Sequence, residues 1–153
     1  MSRQKSGLAG DYTWVLVADA SRAQIYSRHK RRSALEIVQS LTEAQARAKE
    51  QDLVADAPGR TFDRAGQGRH AMEPAHTEKE HLRTQFAQRI TKELELARNE
   101  GRFKQLVIIA TPAMLGELRG QFHAATAACI VAEFNKELTG HEPEVLAQLI
   151  DAQ

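Results

Sequence analysis

Two short runs with no polar side chain, Trp14-Val15-Leu16-Val17-Ala18 and Leu106-Val107-Ile108-Ile109-Ala110, constrain this chain more than anything else in it. A strand with one face in water alternates apolar and polar residues. A strand that is apolar at every position has to be covered on both faces. The runs are far shorter than the roughly 20 residues that a membrane-spanning helix needs. Both therefore read as central strands of a sheet sandwiched between helices, which makes the chain an α/β protein. At 153 residues, one such domain with a substantial core accounts for the whole sequence.

The flanking residues fill in the other elements. Asp19-Ala20-Ser21 supplies a tight turn from short polar side chains. Ala23 to Ser27 alternates as a second strand, and a basic turn (Arg28, Lys30, Arg31, Arg32) leads to a third at Leu35-Glu36-Ile37-Val38. Connections this short make an antiparallel meander. Glu43 to Gln51 has the composition of a short polar helix. Thr77-x-x-Glu80 is a capping box that opens a helix, Leu82, Phe86, Ile90, Leu94 and Ala97 form its buried stripe, and Gly101 ends it. After the second apolar run, Thr111 and Pro112 suit the N-cap and first turn of a helix carrying Met114, Leu115, Leu118 and Phe122. Ile130 to Phe134 reads as a fifth strand. Glu142 to Ile150 reads as a closing helix that begins with Pro143 and turns Val145, Leu146 and Leu149 inward.

That succession predicts a flexible tail over 1–10 and a single domain over 11–153. Its mixed sheet joins a three-strand antiparallel meander to two parallel strands, with helices on both sides. This is a ribonuclease-H-like arrangement. The expected address is cytoplasmic, because Met1 to Gly10 is polar and has no apolar core of a secretory signal. No membrane partner is expected. The single cysteine, Cys129, has no intramolecular partner for a disulfide and reads as a small core residue.

The architecture invites a test for two-metal nuclease chemistry, which requires several converging carboxylates. Asp19 sits where the first ligand belongs, and Glu78, Glu80 or Glu93 offers the second. The fourth strand ends in Ala110-Thr111-Pro112, which supplies no carboxylate. The set is one ligand short, so no catalytic residue and no metal ligand is assigned, and Asp19 reads as a turn residue. His70, His76 and His81 lack an HExxH pattern or a cysteine partner and read as solvated side chains. No phosphate loop or dinucleotide fingerprint is present, so no cofactor is expected.

The segment left over is the most informative. Residues 43–75 have little apolar periodicity and many turn residues, and a connection longer than about 15 residues is usually functional or disordered. Its heart, Pro58 to Met72, holds Arg60, Arg64, Gly66, Gln67, Gly68, Arg69 and His70. Arginine presents a rigid fork of donors that fits phosphate, and glycine lets backbone amides approach an anion. One reading is a loop that grips RNA backbone. The other is a solvated loop whose arginines pair with Asp56, Asp63 or Glu73. Net charge is only +1, but residues 1–70 carry 12 basic against 8 acidic side chains and the remainder 9 against 12. A local basic face is thereby permitted. Nothing in the sequence specifies DNA.

Several segments together resemble the bacterial family of proteins required for attachment to host cells. These are Trp14 to Ala23, Pro58 to Asp63, Arg69-His70-Ala71, Phe86-Ala87, Leu115 to Arg119 and Lys136-Glu137-Leu138-Thr139. The last stands where the family tends to have Lys-Asp-Leu-Thr. The family is similar in turn to the middle domain of archaeal and eukaryotic class I release factors and of Pelota-like rescue factors. This resemblance implies the same fold and a working loop in the place of a Gly-Gly-Gln motif. In this chain that stretch is Ala65-Gly66-Gln67-Gly68, with Ala65 at the first glycine position. The function expected is a nonenzymatic RNA- or ribosome-associated module acting through the basic loop. An indirect regulator of attachment and a peptidyl-tRNA ester hydrolase using Gly66 and Gln67 are the alternatives.

Overall fold

In the computed structural model, which describes residues 12–48 and 68–152, the first apolar run is strand β1 (Thr13–Ala18) at the centre of a five-stranded sheet. On one side β1 pairs antiparallel with β2 (Arg22–Arg28), which pairs antiparallel with β3 (Glu36–Thr42). On the other side it pairs parallel with β4 (Gln105–Ala110), which pairs parallel with β5 (Ile130–Asn135). The order β3-β2-β1-β4-β5 is the meander plus two parallel strands expected from the sequence.

The pleat sends alternate residues of the apolar runs to opposite faces. Trp14, Leu16, Ala18, Leu106, Ile108 and Ala110 join one core, and Val15, Val17, Val107 and Ile109 join the other. The first core is covered by helix α1 (Gly68–Asn99) and helix α2 (Pro112–Gln121). A short helix, α3 (Ala124–Ala127), leads into β5. Helix α4 (Pro143–Asp151) covers the second core with the fully buried Leu146. Val145, expected to face inward, is exposed, and Leu146, Ala147, Leu149 and Ile150 make the contact instead.

Helix α1 is held by the stripe Leu82, Phe86, Ile90, Leu94 and Ala97, all buried. Full burial of one large apolar side chain contributes about 1.5–3 kcal/mol, so this stripe outweighs the polar face. The helix ends as predicted. Gly101 adopts φ 74, its N–H donates to the Arg98 carbonyl at 2.9 Å, and the Arg102 N–H donates to the Ala97 carbonyl at 3.0 Å. These are the paired bonds of a Schellman motif. Its start differs from expectation. The helix begins at Gly68, nine residues before Thr77, so residues 68–75 are helical and not part of a loop. Thirty-two residues make it about 48 Å long, against about 20 Å for a six-residue strand.

Two bulges shape the sheet edges. The β2–β3 register shifts between Ile25 and Tyr26, and the extra residue, Val38, packs on the first core while Ile37 is left exposed. A second shift, between Leu106 and Val107, sends Ile130 to the first core and Ala132 and Phe134 to the second. One extra residue reverses the side-chain alternation, which a strict period of two does not foresee. Cys129 is half-buried against the first core, and its thiol faces the Ala125 carbonyl at 3.6 Å. No helix among the described residues is long and apolar enough to cross a membrane.

Candidate functional site

The carboxyl-terminal end of β1 gathers two of the segments that carried the family resemblance. Asp19, the residue after the strand, turns the chain: its Oδ1 accepts the backbone N–H of Ser21 at 2.9 Å and of Arg22 at 2.8 Å. Oδ2 accepts the Thr139 hydroxyl at 2.6 Å, from a residue 120 positions away. The Arg22 guanidinium completes the group, with Nη2 3.2 Å from Thr139 Oγ1 and 3.6 Å from Asp19 Oδ2. Gly140 follows at φ 85, a backbone that glycine adopts without strain, and a Cβ there would make only an ordinary contact with Arg22 Nη1 at 3.5 Å.

Burial raises the Asp19 carboxyl pKa. The hydrogen bonds from Thr139, Ser21 and Arg22, with the Arg22 charge, outweigh it and hold the group below its ordinary value. The carboxylate is thus fully committed to protein donors. No cluster of three or more metal-capable side chains exists among the described residues. Chemically, this arrangement is a clasp: it fastens the β5–α4 connection to the β1–β2 turn.

The clasp also fixes the point where the long excursion leaves the sheet. The Glu43 amide donates to the Ser21 carbonyl at 2.9 Å. From α1, Arg89 Nη1 donates to the Thr42 carbonyl at 3.0 Å and lies 3.8 Å from Glu43. Residues 44–48 then make a short helical stretch.

Arg60, Arg64, Gly66 and Gln67 lie outside the described residues. Gly68, Arg69 and His70 form the first turn of α1, which contains no acidic residue. The basic turn needs a correction. Arg28 belongs to β2 and is 6% exposed. Its guanidinium grips Asp151 at 2.7 and 3.2 Å. Burial of a cation requires such a partner, so Arg28 is structural. Lys30, Arg31 and Arg32 are exposed, but at the opposite end of the sheet from Glu43, because Arg28 pairs with Thr13 whereas Ala23 pairs with Ala18. They do not adjoin the exit of the long segment. Beside β5 an open hollow is lined by Arg119, Phe122, Ile130 and Glu133, but Arg119 and Glu133 pair at 2.6 Å and face each other.

A mixed sheet of this order with helices on both faces, clasped by Asp19, Arg22 and Thr139, defines an α/β scaffold that carries a long insertion between β3 and α1. The model of the family described as "Protein required for attachment to host cells" matches residues 14–150, and the chain belongs to that family. No curated protein matches it. Among solved structures it is similar to the archaeal translation termination factor aRF1, with a TM-score of 0.47 and 11% identity over 80% of this chain and 30% of that one. It is also similar to a structure described as an archaeal protein, with a TM-score of 0.47 and 12% identity over 90% of this chain and 36% of that one. The chain therefore spans about a third of the length of these two structures.

Proposed function

We propose that this member of the host-attachment family is a nonenzymatic RNA- or ribosome-associated module, with Arg60, Arg64, Arg69 and His70 as its contacts. The observation that carries the reading is the start of α1 at Gly68, on a first turn with no acidic residue. The first backbone N–H groups of a helix have no intrahelical partner and favour an anion, and here arginine and histidine stand on the same turn. Gly66, Gln67 and Gly68 immediately precede or open it, and glycine admits close approach of a phosphate. Asp19 is engaged by Ser21, Arg22 and Thr139 in the clasp, which argues against its use as a nuclease metal ligand.

Cosedimentation with ribosomes tests the proposal. Substitution of Arg60, Arg64 and Arg69 by alanine should abolish association at moderate salt. For three phosphate contacts on a single strand, log affinity should fall with log salt with a slope near −2 that the variant loses. Association unchanged by the triple substitution removes the proposal. Release of peptide from peptidyl-tRNA that disappears on Gln67→Ala would replace it with an ester-hydrolase reading.

A further inference from the structure

The other end of the sheet carries a cationic surface that the sequence does not reveal as a unit. Two connections meet there: residues 29–35 between β2 and β3, and residues 100–104 between α1 and β4. Since β1 lies between β2 and β4, the turns stand two strand spacings apart, about 10 Å. Tyr12 joins them. Its carbonyl accepts the Lys104 and Gln105 amides at 3.0 and 3.4 Å, and its ring lies 5.2 Å from the His29 ring.

His29, Lys30, Arg31, Arg32, Arg102 and Lys104 are all exposed. No ion pair is formed by Lys30, Arg31, Arg32 or Lys104 among the described residues, though Arg31 and Arg32 lie near enough to Asp151 to lower its pKa. The acidic residue in the same two connections is Glu100, with Glu36 at the start of β3. The Arg102 side chain and the backbone of the β2–β3 turn are held in place. The Arg102 guanidinium sits 5.0 Å above the ring centre of the buried Trp14. In the β2–β3 turn the Ser33 hydroxyl donates to the Lys30 carbonyl at 2.6 Å, and Arg32 adopts φ 67.

We propose that this end of the sheet is a second binding surface, for the backbone and bases of single-stranded RNA. Lys30, Arg31, Arg32 and Lys104 contact phosphates, and the Tyr12 ring, tilted 47° against that of His29, offers the face on which a base stacks. Cations flanking an aromatic pair suit a single strand, which offers both phosphates and ring faces. An acidic polypeptide would use the charges and leave the rings idle. The proposal rests on the RNA-associated reading of the chain but uses none of the residues assigned to the long segment.

The test is binding of the full chain to a fluorescein-labelled uridine oligonucleotide of about 20 nucleotides, longer than one single-strand site. Three proteins are compared: wild type, the combined Lys30→Ala, Arg31→Ala and Lys104→Ala variant, and the combined Arg60→Ala, Arg64→Ala and Arg69→Ala variant. An unchanged melting temperature certifies the folded state of each. The sheet-end variant should bind roughly tenfold or more weakly near 0.1 M salt, with a salt slope shallower by about 2. Tyr12→Leu should weaken binding without changing that slope. Loss in the sheet-end variant alone supports this surface and shows that the oligonucleotide does not use the long segment. Loss in the long-segment variant alone overturns this surface and leaves the long-segment reading standing. Loss in both supports both, and absence of wild-type binding overturns this surface, while the long segment answers to ribosome cosedimentation. Equal displacement of the RNA by polyglutamate at matched charge also overturns the proposal.

Discussion

Thr139→Val removes one hydroxyl from the clasp at the end of β1 and keeps the side-chain shape. Thr139 is 7% exposed, and its Oγ1 lies 2.6 Å from Asp19 Oδ2 and 3.0 Å from Glu137 Oε2. A hydroxyl has one proton to donate, and the shorter contact assigns it to Asp19. A hydrogen bond to a charged group contributes about 1.5–3 kcal/mol, so about 2 kcal/mol should be lost. For a domain of this size that is a fall of roughly 4–8 °C in melting temperature. The effect should depend on pH with a definite sign. Burial pushes the Asp19 carboxyl up, but the bonds from Thr139, Ser21 and Arg22 bring it below the ordinary 3.8. A carboxyl whose folded pKa is depressed gives stability that is complete above its unfolded value, about 4, and is lost as pH falls through the folded one. The gap between wild type and variant should therefore be widest near neutrality and shrink below about pH 4. Urea denaturation followed by circular dichroism across that range measures it. A gap under about 0.5 kcal/mol at pH 7, or one of the same size in acid, refutes the assignment.

Asp151→Ala strands the Arg28 cation, whose side chain is 5% exposed. Breaking a buried pair costs about 3–5 kcal/mol, and because Asp151 is partly open to water the expected loss in urea is about 2–3 kcal/mol. The double variant with Arg28→Met should recover part of it. The Arg28 hydrogen bond holds the Asp151 carboxyl below its ordinary value, so this contribution too should be lost as pH falls through the depressed pKa. Gly101→Ala should cost about 1–2 kcal/mol by thermal melting. A Cβ there meets no atom within 4 Å, leaving the left-handed backbone at φ 74 as the whole cost, and asparagine should be tolerated better.

The elements legible in the sequence were those that bury one strong pattern. The two apolar runs gave the central strands to within a residue, and the Leu82-to-Ala97 stripe with Gly101 gave the packed part of α1 and its end. At the edges the signal weakened. β3 runs on through Gln39, Ser40 and Thr42, polar residues that an edge strand tolerates, and its bulge at Val38 breaks the alternation. The start of α1 was misplaced because Pro74 and the Thr77-x-x-Glu80 pattern both argue for a later beginning. The helix-forming Ala71, Met72, Glu73 and Ala75 flank the proline, and the helix runs through it. The clasp could not be read locally, since Asp19 and Thr139 are 120 residues apart. Both do lie in segments that carried the family resemblance, which was the available hint. Arg28 looked like part of a solvated turn because its partner comes 123 residues later.

The Arg28–Asp151 pair ties completion of the interior to the last turn of helix α4. Arg28 leaves water only when that turn docks and neutralises it, so the second strand and the helix are buried together. A proteolytic cut that removed only that turn would be felt in the middle of the molecule, through an arginine far away in the chain.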